Sequence, residues 1–432
     1  MKKISFLFLL AVVSLTANAQ WIRVWSGGES ARYAIADVST IPYTTSGSSL
    51  TIDGTKYSTA AIDSITIVNP VTITWSGTTA SVDIPETAEG VTATVNGGDV
   101  VITNTCTSIE HEFILQGTSD AGSFTYNGEY KVKFHLAGVN LTSTTGAAVD
   151  IQCGKRIDLI LEDGTTNTLA DFAQGTQKAA LNCQGHLEVS GGGTLTVEGN
   201  CNHALRSKEY LQLKKSAGTI NITKAAADGI HCGEFFLMNG GTINVSGHTN
   251  DGLQMETSDD SDEPDNGIFT MNGGTIKITH TGAGSKAIRA DSTIAVMNFN
   301  GGTVEVELTA TASDSEGIDC DGDINISQSS DITNITITVG GEGYMDATSE
   351  KIRSTGMKSD GTITMNNGTV AINATGKYAR GMRSSRLFVK GGSLTVTNSG
   401  SSSQGIKLDG PNSNTSYYQN TGGSVSCNNW KY

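Results

Sequence analysis

Proline is nearly absent from this chain, with 5 in 432 residues, while aromatic residues make up 6 % and charged residues 16 % of it. So little Leu, Lys and Glu argues against helical bundles, and so much Thr, Ser, Asn, Ile and Val argues against a disordered chain. After residue 19 no run reaches the roughly 18 apolar residues a membrane-spanning helix needs, so no membrane insertion is expected. The seven cysteines (Cys106, Cys153, Cys183, Cys201, Cys232, Cys320 and Cys427) show neither zinc-ligand spacing nor a compact disulfide framework. They are expected mostly as small buried hydrophobes. There is no nucleophile elbow, no zinc-spaced His pair and no phosphate loop. What the chain does have is 52 glycines, and their placement is the main clue.

Residues 1–19 read as a secretory signal. Lys2 and Lys3 supply the basic start, Ile4 to Leu15 the apolar stretch, and Ala17-Asn18-Ala19 a cleavage site, so the mature chain is expected to begin after Ala19 and to be secreted. Without that segment 26 basic residues face 43 acidic ones, a net charge of −17. Such an acidic surface argues against nucleic acid as a partner.

Blocks with Gly-Gly or Asn-Gly before a β-branched alternation recur, as in Gly240-Gly241-Thr242-Ile243-Asn244-Val245 and Gly273-Gly274-Thr275-Ile276-Lys277-Ile278. Each reads as a turn followed by a strand. Between them lies a second motif, a small residue, an apolar one and a variable polar one, in ten copies from Ala148-Val149-Asp150 to Gly405-Ile406-Lys407. Successive apolar positions are 32, 24, 25, 23, 35, 30, 39, 25 and 24 residues apart, which gives a basic coil of about 24 residues and longer coils that carry inserted loops. Several turn-bounded strands per period are the signature of an all-β solenoid, a right-handed parallel β-helix over residues 71–432. Residues 20–70 alternate more weakly and are expected to form a small β-rich module or cap. A monomer is expected.

Alternation along each strand turns Ile230 and Cys232 inward and His231 outward, in the same register in every copy. The outward column then reads Asp150, Asn182, Arg206, His231, Gln254, Arg289, Asp319, Lys358, Arg383 and Lys407. Arg206, His231, Arg289, Lys358, Arg383 and Lys407 are candidate ligand-binding residues, because stacked cations on an acidic protein suit the carboxylates of an extended anionic chain. The alternative is a solvated face neutralised by neighbouring acids. Two positions on, the column carries Asp291, Asp321, Asp360 and Asp409; like charges on adjacent rungs repel unless something offsets them. The adjacent basic column is one compensation, and calcium is another, with Asp314, Glu316, Asp319, Asp321 and Asp323 as the densest ligand set and Asp291 and Asp360 beside it. Asp228 and Asp251 occupy equivalent places in neighbouring coils and could share a cation. No unique residue stands out as catalytic.

The stretches Gly138-Val139-Asn140-Leu141-Thr142, Ala147-Ala148-Val149 and Asp158 to Leu169, with later copies such as Lys286 to Asp291 and Glu316 to Ile324, resemble the secreted bacterial carbohydrate-binding β-helix family, whose fold is like that of pectate lyases. The resemblance covers about residues 90–425. It implies binding of acidic, uronate-containing or plant-cell-wall polysaccharide, with calcium held by the helix and no established catalysis. A calcium-dependent lyase with Lys358 or Arg289 as base, and an inert surface scaffold or adhesin, are the alternatives.

Overall fold

The computed structural model describes residues 21–26, 29–34, 49–52, 54–258, 262–329, 331–409 and 417–431. The expected signal segment and its cleavage near Ala19 lie outside the described residues. By compactness the chain divides into a unit of residues 1–72 with 84–88 and a unit of residues 73–83 with 89–432. Among the described residues no helix is long and apolar enough to cross a membrane.

The smaller unit is antiparallel. Trp21–Ser26 pairs with Glu29–Ala34 on one side and Ile62–Val68 on the other, and Ser49–Ile52 forms a hairpin with Thr55–Ser58. Alternate residues Ile22, Val24, Leu50 and Ile52 make its buried cluster, with Tyr33, Tyr57, Ile62 and Ile65 packed against it.

The larger unit is a β-solenoid whose strands run parallel from coil to coil. The inward apolar position of the small–apolar–polar motif stacks as Val149, Leu181, Leu205, Ile230, Leu253, Ile288, Ile318, Met357, Met382 and Ile406, the register read from the sequence in all ten copies. Val100 and Phe124 extend the column at one end and Trp430 at the other. The result is about 12 turns with stacked strands about 28 residues apart, the inserted loops raising the mean above the basic step.

Three parallel sheets run along this body. The first holds the motif strands. The second is built from strands such as His186–Ser190, Leu211–Leu213, Phe236–Met238 and Ile268–Met271. The third holds the Gly-Gly blocks, including Thr242–Val245, Thr275–His280 and Gly302–Leu308. Where the third sheet turns into the first, the small residue of the motif faces the last β-branched side chain of the third. A Cβ on Gly356 would lie 2.6 Å from Ile372 Cγ2 and 2.7 Å from the Gly381 carbonyl, so this place takes Gly, while other coils carry Ala in the same column. The inward column two residues beyond the apolar position, which includes Cys183, Cys232 and Cys320, is buried throughout its length. Two of its three serines turn their hydroxyls to corner carbonyls, Ser207 to Gly185 at 2.8 Å and Ser359 to Gly322 at 2.7 Å. All seven cysteines are free, four of them buried.

At the entry to the third sheet the second glycine of the block takes a left-handed backbone. Gly302 has φ 93°, and a Cβ there would lie 2.6 Å from the carbonyl of Gly274 on the preceding coil. Gly302→Ala therefore combines backbone strain with overpacking and is expected to destabilise the fold by about 1–3 kcal/mol. A lowered urea midpoint at unchanged m-value is the expected reading, and a midpoint equal to wild type would contradict this account of the glycine block.

Candidate functional site: polar columns of the first sheet

The outward column of the first sheet carries several local groups of polar contacts. Asn182 Nδ2 donates to Asp150 Oδ1 at 2.8 Å, and Arg206 Nη1 donates to Asn182 Oδ1 at 3.2 Å. Further on, Arg289 reaches Asp251 at 3.5 Å and Asp291 at 3.0 Å, and Lys358 reaches Asp319 at 2.9 Å and Asp360 at 3.7 Å. Arg383 and Lys407 share Asp409. The six cations expected to bind ligand are thus brought onto one stripe, and five of them, His231, Arg289, Lys358, Arg383 and Lys407, face acids beside them, while Arg206 bonds to the Asn182 amide.

The side chains at the start of each motif strand form a second column next to the first. Asp228, only 1 % exposed, receives His203 Nδ1 and His231 Nδ1 on the same oxygen at 3.1 and 3.0 Å, and the two rings stack with centroids 4.5 Å apart. Its other oxygen accepts from Asn250 Nδ2 at 2.6 Å and the Asp251 backbone N–H at 3.0 Å. Burial alone would raise the Asp228 carboxyl, but the two imidazoles and that N–H outweigh it and hold it below the usual range. His231 moves the other way. Burial opposes its charge, and Asp228 and Glu256 overcome that, raising it to about 9. Asp228 and Asp251 are joined by that backbone bond, and the Asp251 carboxylate also accepts the Lys286 N–H at 2.7 Å and faces Arg289 at 3.5 Å.

The carboxylates expected to hold calcium fit a ladder better than a cage. Asp319, 2 % exposed, takes Lys358; Asp291 takes Arg289; Asp323 Oδ1 accepts the Thr362 N–H at 2.7 Å. Glu316 faces Lys286 at 3.2 Å, and burial raises its carboxyl to about 7. Asp321 and Asp360 line a shallow open depression beside Ile294. Asp314 stands apart at a left-handed φ of 53°. Among the described residues, the groups whose side-chain ligand atoms converge within 4.8 Å are His203, Asp228, His231 and His186, Glu209, Glu234, and neither contains these acids.

The residues drawn as possible lyase bases are likewise held protonated. Burial would lower Lys358 and Arg289, but their carboxylate partners outweigh it and both are raised. A general base needs the opposite shift.

Sequence reasoning missed a place, among the described residues, where positive charge gathers without close carboxylates. In the 39-residue step the inserted hairpin of Tyr344–Met345 and Lys351–Ile352 packs beside Lys377 and Tyr378, with the Gly343 N–H donating to the Lys377 carbonyl at 2.7 Å. Lys377 Nζ, Lys351 Nζ and the Arg353 guanidinium lie 5.2, 5.4 and 5.9 Å from the centre of the Tyr378 ring. Arg353 donates to the Tyr378 and Ser402 carbonyls at 2.7 and 3.0 Å, and Arg380 donates only to the Gln404 amide oxygen at 3.1 Å. Both guanidiniums are 9 % exposed. Burial, with Arg383 and Arg353 nearby, lowers Arg380 to about 10, the mark of a cation short of anions. Tyr344 and Met345, 47 % and 45 % exposed, flank the corner. The signal was available as Lys377-Tyr378-Ala379-Arg380-Gly381-Met382-Arg383, three cations and an aromatic within seven residues.

Comparison with known proteins gives three matches. A family model described as carbohydrate-binding domain-containing protein covers residues 96–405. The serine protease pet autotransporter of Escherichia coli O44:H18 (strain 042 / EAEC) is 24 % identical over 176 residues, 36 % of this chain, and the chain spans only 13 % of that protein's length. A solved structure of a polysaccharide lyase-like protein from C. thermocellum, a gadolinium derivative, is 23 % identical with a TM-score of 0.48, covering 60 % of this chain and 97 % of that one.

Two outcomes follow from the buried ionisable groups. Lys358→Met leaves the buried Asp319 carboxylate without its cation and should cost about 3 kcal/mol in urea unfolding; a cost near zero would show the pair to be solvent-screened. His248 and His280, 3 % and 0 % exposed, bond to each other at 2.6 Å, and burial lowers both to about 4, with His248 adding to the shift of His280. The unfolded chain binds these protons near the ordinary His value of about 6.5, so stability is full above that pH and is lost as pH falls towards 4. Thermal midpoints measured across that window should fall, and less steeply in His248→Gln.

Proposed function

The chain belongs to the carbohydrate-binding domain-containing family, and from that premise we propose that it binds acidic, uronate-containing polysaccharide such as that of plant cell walls, without catalysis, at the basic corner around Tyr378. The observation that carries the reading is the positive charge of Arg353 and Arg380, which have no close carboxylate, beneath the half-buried Tyr378 and two exposed lysines. A sugar ring lying on Tyr378 and Tyr344 places its equatorial substituents towards Lys351 and Lys377. A uronate carboxylate there meets the charge that the buried guanidiniums leave unbalanced, whereas a neutral glucan meets only the aromatic surface. Arg383 continues the stripe, and the ladder through Lys407 on one side and Lys358, Arg289, His231 and Arg206 on the other offers donors to further sugar residues along the coils. Exchange of an internal carboxylate for a ligand carboxylate at those rungs is close to neutral, so they guide the polymer and the corner anchors it.

The expected export signal at residues 1–19 puts such a glycan outside the cytoplasm. Calcium has no step in this reading; of the acids expected to hold it, Asp291, Asp319 and Asp323 already accept protein donors.

Binding of the full chain to polygalacturonate, compared with cellulose and measured by calorimetry, tests the proposal. The expected results are preference for polygalacturonate, weakening with salt, and a loss of roughly tenfold or more in affinity, about 1.4 kcal/mol, in the Lys351→Ala, Lys377→Ala double variant. Equal binding by that variant, or retention of neither glycan, sinks the proposal. The same mixtures followed for absorbance of an unsaturated product, with calcium and with chelator, should stay flat and bind alike. Turnover lost in Lys358→Ala would favour the lyase reading instead.

A further inference from the structure

At the corner between the first and second sheets, three successive coils place His186, Tyr210 and Phe235 one above another. His186 packs on Tyr210 with centroids 4.5 Å apart, and Tyr210 stacks on Phe235 at 4.4 Å. Beside this aromatic stack the same coil spacing brings Glu209 and Glu234 together on neighbouring rungs. His186 Nε2 lies 2.8 Å from Glu209 Oε2, and His186 Nδ1 lies 4.0 Å from Glu234 Oε2. One ligand atom from each residue falls within 4.8 Å of the others.

Glu234 is 6 % exposed, and its Oε2 has no hydrogen-bond partner; nor has the buried His186 Nδ1. A carboxylate this deep in the protein normally accepts two or more hydrogen bonds, because an unmet buried charge is costly. The nearest positive groups besides His186 are Lys208 and Lys155, which act on Glu209 only from a distance. Burial raises the Glu209 carboxyl, and the like charge of Glu234 adds to it. The contrast with Asp228 is instructive: there both carboxylate oxygens have close donors, so an ion would have to displace bonds already made.

We propose that His186, Glu209 and Glu234 form a binding site for a divalent first-row transition ion of the zinc class, held by one imidazole nitrogen and two carboxylate oxygens, with water completing the shell. The mixed nitrogen and oxygen donor set suits zinc, and three protein ligands with an open position is a known zinc arrangement, whereas calcium takes six to eight oxygens and no imidazole. The aromatic stack fixes the imidazole plane, and the rung spacing of about 4.8 Å sets Glu209 and Glu234 on neighbouring coils, from which their carboxylates can converge on one ion. This site is several coils from Tyr378 and stands or falls independently of the glycan proposal.

Equilibrium dialysis of the untagged full chain against zinc is the test. One ion per chain is expected, with affinity lowered tenfold or more in Glu234→Gln and in Glu209→Gln, and unchanged in the control His231→Gln. Glu209 is the more accessible of the two, so its variant answers the question even if Glu234→Gln does not fold. No zinc bound by the wild-type chain, undiminished binding in Glu209→Gln, loss confined to His231→Gln, or displacement by an equal concentration of calcium would each overturn the assignment.

Discussion

The interaction on which everything else rests is the parallel backbone ladder between coils. Hydrogen bonds every rung hold equivalent residues about 4.8 Å apart, and there are about 12 turns in register. A side chain in such a column has its own kind as nearest neighbour. For apolar residues this is favourable, and the stack from Val100 to Trp430 is the outcome. For amides it is also favourable: Asn239, Asn272 and Asn300 pass hydrogen bonds from coil to coil at 2.9 and 3.0 Å. For charges it is unfavourable, because identical charges one rung apart repel.

Most of the surface manages this by mixing signs within and between adjacent columns. Lys358 sits between Asp319 and Asp360, and Arg289 between Asp251 and Asp291, so each cation offsets two acids and each buried acid has a donor. The ladder therefore rigidifies the first sheet and presents a polar stripe of low net charge. Among the described residues, two of the places that depart from this rule do so in opposite senses. Around Tyr378 guanidiniums accumulate without carboxylates, and beside His186 carboxylates accumulate with a single imidazole. In a fold whose spacing penalises unpaired like charges, these departures are where an outside partner gains most.

The sequence revealed the solenoid because its evidence is periodic. Ten copies of one motif fix register, inward and outward faces and the stacking of Cys183, Ser207 and Cys232 without any knowledge of the turns. The outward stripe was legible for the same reason. The first two coils were not, because Val100 lies between Asp99 and Val101 and Phe124 follows Ser123 where the later copies have Gly or Ala. Which cation faces which acid was not legible either, since Asp228, Asp251 and Glu316 lie three residues before the outward position and join it only through the corner geometry. The basic corner was hidden because its parts come from an inserted hairpin and from two coils: Lys351 and Arg353 meet Tyr378 through folding, not through period. The carboxylate pair was hidden because Glu209 and Glu234 stand at turns, where the apolar pattern carries no phase.

The opposite signs of the two departures also decide what each can do for the other. A polymer carboxylate at Tyr378 is drawn to cations that the fold has buried at a cost, so binding relieves a repulsion among Arg353, Arg380 and Arg383 that is present in the free protein. An ion at His186 relieves a repulsion among carboxylates several coils away, and the intervening ladder of paired charges screens one site from the other. The two would then add rather than couple, since a stack of rigid coils offers no second arrangement for either ligand to select. Local exceptions to the column rule, each readable as an excess of one sign, are the places in this architecture where an outside ligand would gain most.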